Sequence, residues 1–241
     1  WLTYAGNYQG HRHSALAQVT PANVSRLRLA CAAQFLQVDK KLQTSPIVAG
    51  RTMYVSESRG GVVALDAASG EQLWAWRPNV VAPLALCCGS PNRGVAIIGR
   101  SVFVATIDAH LVALDANNGT QRWSVRVADA ADGYSMTAAP LAIGDRVVVG
   151  VAGGEFGVRG FVAAYHVDDG RQVWRFETVP GPGAPGHSTW AGESWRTGGA
   201  PTWVTGAYDP EQDLVLWGTG NPAPVYRADV RAGDNLYSNS V

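Results

Sequence analysis

The stretch "ALDAASGEQLW" (Ala64–Trp74) returns as "ALDANNGTQRW" (Ala113–Trp123) and again as "AYHVDDGRQVW" (Ala164–Trp174), and this repeat limits the possible folds more than any other feature. The glycines at 70, 119 and 170 lie 49 and 51 residues apart. Upstream of each copy stands a shorter echo: "VAGRTMYV", "IIGRSVFV" and "AIGDRVVV". Each unit reads as strand, Gly-centred turn, strand, loop, strand, polar turn with glycine, and a strand ending in Trp. No helical pattern of roughly 10–15 residues separates these strands, which argues against a parallel βαβ sheet. A period near 50 with about four strands per unit fits an all-β propeller, whose four-stranded blades bury their faces only against one another. Trp74, Trp123 and Trp174 are read as core residues that cover the next blade.

The units run over roughly 43–76, 93–126, 137–177 and, in part, 200–241. Between the third and fourth lies a Gly/Pro-rich stretch, "VPGPGAPGHSTWAGESWRTGGAPTW". A propeller closes with about 4–8 blades, whereas this chain supplies about three and a half by the same reading. The expectation is therefore a fragment, or half of a larger ring. The start at "WLTYAGN", with neither Met nor an apolar leader, agrees with a processed chain or a piece. Lys+Arg 19 balance Asp+Glu 19, and no basic run stands out, so nothing steers the chain toward nucleic acid or an anionic membrane. No apolar run approaches the roughly 18 residues of a membrane-spanning helix.

The repeat is most informative where it breaks. From turn glycine to turn glycine the first two units measure 20 residues (50 to 70, 99 to 119) and the third 26 (144 to 170). The extra residues fall in "VAGGEFGVRG", where glycines at 153, 154, 157 and 160 surround one acid, Glu155. Glycine permits close backbone approach, and a carboxylate among glycines suits a hard cation; the plainer reading is a turn tip with an exposed Glu. "GTGN" (218–221) offers a neutral oxygen ligand in Asn221, which together with Glu155 would suit Ca²⁺. Equivalent loops of successive blades converge on one end of a propeller axis.

"LCCGSPNRG" places two of the three cysteines side by side. Adjacent Cα atoms sit about 3.8 Å apart, below the roughly 4.4 Å at which ordinary disulfides begin. Cys87 and Cys88 are thus either chance neighbours or the halves of a strained eight-membered ring that has a use.

Taken in order, "W-x-x-Y", "LAQVTPANVSRL", "CCGSPNRG", "GGEFGVRGFVAAYHVDDGRQVWRF", "GGAPTWVTGAYDP" and "GTGNPAP" resemble the pyrroloquinoline quinone (PQQ)-dependent alcohol dehydrogenases along the whole chain. The resemblance implies the N-terminal half of an eight-bladed propeller with tryptophan-docking repeats, His166 replacing the repeat's Asp in the third copy. It implies that Cys87 and Cys88 form a vicinal disulfide stacked on one face of PQQ, and that Trp203 stacks on the other. Glu155 and Asn221 match ligands of the Ca²⁺ that also binds PQQ, a lanthanide being the alternative ion. Arg93 matches the arginine near the reactive quinone carbonyl, and Thr137, Gly153 and Gly154 match cofactor-contacting positions. Gln43 falls where many members carry Glu, Ala152 where some carry Ser, and Cys31 where Trp is common.

The resemblance further implies that the general base, an Asp in this family, lies in the next segment, beyond Val241. The resemblance implies a periplasmic enzyme that oxidises an alcohol and passes electrons to a cytochrome c or a membrane quinone. The rival is a non-enzymatic propeller acting as a protein-binding scaffold. It accounts for the repeat and the tryptophans, but not for Glu155, the cysteine pair and "GTGN" together. "HRH" at 11–13 reads as solvated histidines, "NVS" at 23–25 as a chance glycosylation triplet, and "GPGAPG" as no phosphate loop, since no helix follows it.

Overall fold

The computed structural model describes residues 2–36, 39, 42–81 and 84–241. Its strands form three four-stranded antiparallel sheets and one hairpin. The first sheet holds β1 (Ile47–Ala49), β2 (Thr52–Ser56), β3 (Val62–Asp66) and β4 (Gln72–Trp76). The second holds β5 (Ala96–Ile98), β6 (Ser101–Ala105), β7 (His110–Asp115) and β8 (Gln121–Arg126). The third holds β9 (Leu141–Ile143), β10 (Arg146–Gly150), β11 (Phe161–His166) and β12 (Gln172–Glu177). β13 (Ala207–Asp209) and β14 (Leu214–Leu216) pair as the start of a fourth. In each full sheet the strands neighbour one another in chain order, the meander of a propeller blade.

The repeated tryptophan lies in the middle of its strand, not at the end as the sequence predicts. β4 runs on to Trp76, which pairs with Val62, and β8 and β12 likewise continue past Trp123 and Trp174. A register shift at Ala64/Leu65, repeated at Ala113/Leu114 and Ala164/Tyr165, precedes the tryptophan each time. Such a bulge bends the outer strand and increases its local twist.

Blade-to-blade packing makes the core. The face of the first sheet carrying Ile47, Tyr54, Val62 and Trp74 packs against Val95, Val102, Val104, Val112 and Leu114 of the second. Phe103 and Leu111 on the other side of the second sheet meet Val147, Val149 and Phe161 of the third. Leu141, Val148 and Val162 of the third meet Trp217, with Tyr208 and Val215 alongside.

The first two seams are locked at the rim. Trp74 Nε1 donates to Ala116 O at 3.0 Å, and Trp123 Nε1 donates to Val167 O at 3.0 Å, each into the polar turn of the next blade. The ring lies flat on that turn's glycine: a Cβ on Gly170 would sit 2.8 Å from Trp123 Cε3, and Gly119 meets Trp74 in the same way. Both glycines have φ near +70°, a region side chains rarely adopt, so position and packing agree on the residue. On the first blade, a Cβ on Gly70 would sit 2.7 Å from Cys31 Sγ. Cys31 thus occupies the seat that an indole takes on the second and third blades. Glu57, fully buried, anchors this N-terminal segment: it accepts from Leu36 N at 2.9 Å and from Arg77 Nε at 2.7 Å.

Candidate active-site cleft

The meander decides where function can sit. The β1–β2 and β3–β4 turns lie at one end of every blade; the β2–β3 loops and blade-to-blade connections lie at the other. Every residue that the resemblance assigns to the cofactor or metal, from Gln43 to Asn221, falls in a segment of this second kind.

Those segments enclose a cleft of about 310 Å³, lined by Cys87, Cys88, Arg93, Thr137, Gly153, Glu155, Trp203 and Asn221, with Leu86, Phe156 and Pro201 among the apolar remainder. Gly154 lies buried behind Glu155, against Pro201 Cγ and Cδ. Gln43 is exposed and outside this lining. Two residues on, however, Ser45 N donates to Arg93 O at 2.9 Å, so the same extended run of chain holds the arginine's backbone.

Cys87 and Cys88 are disulfide-bonded, with Cα atoms 3.8 Å apart, in the connection between β4 and β5. The pair is therefore a vicinal disulfide and not two free thiols. The side chain of Arg93, in the same connection, donates from Nη1 to Thr137 O at 3.1 Å, and its guanidinium carbon lies 4.9 Å from the centre of the Trp203 ring. Burial lowers the Arg93 pKa from the ordinary arginine value, while the nearby Tyr4 phenol raises it; a guanidinium so placed stays charged at physiological pH. Trp203 is 43% exposed, an indole offered to the cleft.

One short run of chain, residues 198–203, joins the rest. On one side it bonds to the Glu155 loop, through Gly199 N to Val158 O, Gly160 N to Gly199 O, and Thr202 N to Val151 O. On its other side it bonds to the Asn221 segment, through Ala200 N to Asn221 O and Gly220 N to Pro201 O. Gly150 and Gly160 flank this strap, and a Cβ on either would collide with the carbonyl oxygens of Thr202 and Ala200. The glycines around Glu155 therefore serve close backbone packing as well as loop shape. Gly153, at φ 107°, turns the chain into the short 3-10 segment that displays Glu155.

Glu155 and Asn221 are both exposed to the cleft, and among the described residues neither side chain has a hydrogen-bond partner or ion pair. An unpaired carboxylate and an amide oxygen lining one cleft are the donor types that suit a hard cation. Between the disulfide and the indole, a flat group with negative charge would find two apolar walls and one guanidinium. The residues present fit a planar anionic cofactor and its metal. Among the described residues no cluster of three His, Cys, Asp or Glu forms a metal site, and His11 and His13 remain exposed.

Sequence reasoning gave no role to Thr202 or Tyr4, although both lie in quoted motifs, and missed the Glu57–Arg77 pair. Thr202 lies within the quoted "GGAPTW", but nothing in that motif shows its hydrogen bonds to residues 41 and 51 positions away.

A chain with this blade pattern and this cleft has the features of a quinoprotein dehydrogenase propeller. Residues 1–241 match the model of the family "PQQ: Glucose/ethanol/alcohol dehydrogenase, beta-propeller domain", and the chain belongs to that family. It is 41% identical to the quinoprotein alcohol dehydrogenase PedH of Pseudomonas putida, over 96% of this chain and 42% of that protein. It is 38% identical to a lanthanide-dependent methanol dehydrogenase of Methylacidiphilum fumariolicum, over 100% of this chain and 43% of that one. The solved structure of the quinohemoprotein alcohol dehydrogenase ADHIIG of Pseudomonas putida superposes with a TM-score of 0.90 at 36% identity, covering 99% of this chain and 37% of its own. The chain thus spans about two fifths of the length of the relatives it matches.

Proposed function

We propose that this chain is the PQQ- and metal-binding part of a periplasmic dehydrogenase that oxidises an alcohol and passes electrons to a cytochrome c or a membrane quinone. The observation that carries the reading is the convergence of a vicinal disulfide, an exposed indole, a guanidinium, a free carboxylate and a free amide on one cleft. When bound, PQQ supplies a quinone carbonyl carbon able to accept hydride, and a Ca²⁺ or lanthanide ion supplies Lewis acidity.

Cys87–Cys88 and Trp203 hold the flat group between two apolar faces and exclude water from it. Arg93 brings a fixed positive charge to the cleft, where it stabilises negative charge developing on a carbonyl oxygen. Its Thr137 contact and its position over Trp203 limit where that charge can go. Glu155 and Asn221 hold the cation. Thr137, Gly153 and Gly154 shape the wall, and Gln43, exposed and outside the lining, stands where many members of the family carry Glu. Among the described residues Glu155 is the one carboxylate lining the cleft; engaged with a cation it would be a poor proton acceptor, and the family resemblance implies that the base that deprotonates the alcohol lies beyond Val241. The ring closes as eight blades, with units at roughly 43–76, 93–126, 137–177 and 200–241 in this part.

The test uses the full-length protein, freed of cofactor and reconstituted with PQQ and either Ca²⁺ or a light lanthanide. A bound-quinone absorption band and alcohol-dependent reduction of an artificial acceptor are expected. Absence of the band at saturating PQQ and metal overturns the proposal.

A further inference from the structure

Thr202 stands where three parts of the cleft meet. It is fully buried. Its hydroxyl accepts from Val151 N at 2.8 Å and donates to Phe161 O at 2.6 Å. Val151 and Phe161 are the two stems of the loop that carries Glu155: one follows directly on β10, the other opens β11. A single hydroxyl therefore pins both ends of that loop.

The same residue's carbonyl oxygen accepts from Trp217 Nε1 at 3.1 Å. Trp217 follows β14 and stands four positions before Asn221. The next residue in the chain is Trp203. The stems bearing the carboxylate, the amide and the indole thus share one residue as their common fixed point.

The backbone beside it is held under tension. Ala200, fully buried, adopts φ +50°, which a residue with a side chain takes only when its surroundings dictate it. Its amide and carbonyl are both occupied, by Asn221 O at 2.8 Å and by Thr178 Oγ1 at 2.7 Å. Relaxation of this strap would move Trp203 and the two oxygen donors relative to one another.

We propose that Thr202 is a positioning residue: its hydroxyl sets the separation of Glu155, Asn221 and Trp203, and so the geometry offered to the metal and the flat cofactor. This rests on the cofactor-binding function proposed above. Val fills nearly the volume of Thr without the hydroxyl, leaving Val151 N and Phe161 O without their partner. Ser keeps the hydroxyl.

The experiment is a Tb³⁺ titration of cofactor-free full-length protein, followed by indole-sensitised emission, with melting temperature recorded for each variant. In Thr202→Val the apparent Kd for Tb³⁺ rises tenfold or more, and in Thr202→Ser it stays within threefold of the unsubstituted protein. A Thr202→Val protein that melts earlier but binds Tb³⁺ within twofold overturns the proposal, because the hydroxyl then serves stability alone. Should Thr202→Val not fold, Thr202→Cys, which keeps the size with a weaker hydrogen-bonding group, is judged by the same two thresholds. No sensitised emission from the unsubstituted protein overturns the metal site itself, and the role of Thr202 with it.

Discussion

Asp66 illustrates what one side chain does at a blade rim. Its carboxylate accepts from the amides of Ser69 and Ala68, both at 2.9 Å, and faces Arg51 at 3.1 Å. The Ser69 and Ala68 amides, then the Arg51 contact, pull its pKa from 3.8 down to about 2. A carboxyl whose pKa is depressed by folding stabilises the protein above its unfolded pKa and loses that contribution as pH falls through the folded value. In Asp66→Ala the loss of thermal stability is therefore full at neutral pH and shrinks between pH 3.8 and about 2, as paired melting curves at several pH values would show. At the cleft, Trp203→Ala removes one stacking wall. Aromatic contacts of this kind are worth about 0.5–1.5 kcal/mol, so PQQ affinity in the full-length protein should fall roughly two- to twelvefold, measured by quinone titration. An unchanged affinity would remove the indole from the proposed clamp.

At the scale of the element, the blade seam is the unit of stability. Trp74 is buried between the first two blades and hydrogen-bonded across the seam. Trp74→Ala leaves a cavity and should cost about 3–5 kcal/mol in urea unfolding, with Trp74→Phe costing distinctly less. Arg77→Ala strands the fully buried Glu57 carboxylate with its remaining partners and should cost about 3 kcal/mol. The blades were legible in the sequence because their signals are local and recur: alternating strands, a turn glycine, a tryptophan four residues later. The rim ion pairs show how far that legibility goes. Arg51–Asp66 and Arg100–Asp115 repeat, at 3.1 and 3.4 Å, while in the third blade Asp145 faces His166 at 3.7 Å with the roles exchanged. Substituted copies of a motif can still be read by alignment to their neighbours. The seat of Cys31 on Gly70 and the strap at 198–203 could not be read that way, since each depends on backbone approach between distant segments that leaves no pattern at either one.

For the whole molecule, topology separates two ends with different tolerances. Turns at one end join strands within a blade; loops at the other assemble the cleft. A short Gly/Ser insertion at the exposed Asn117–Asn118 turn should leave metal and PQQ binding within about twofold. The same insertion at Gly157, in the Glu155 loop, should abolish metal binding while the protein still melts cooperatively; titration with Tb³⁺ separates the outcomes. The cleft residues could be named from the sequence because their motifs are compact. Their assembly could not, because it requires the connections after the first, second and third sheets to arrive together.

That arrangement has a consequence for how such a protein can change over generations. Repeat architectures commonly grow or shrink by copying or losing whole units, since each unit contacts only its neighbours. Here the disulfide comes from the first connection, Thr137 from the second, Glu155 from within the third blade, and Trp203 and Asn221 from the strap and segment beyond it. Duplicating or deleting any blade between Cys87 and Asn221 would carry these groups away from one another around the axis. The strap seals the last of those seams by bonding to both neighbouring segments at once. Ancestry by repetition is written in the rim, but the blade count of this stretch is frozen by what the opposite end must hold.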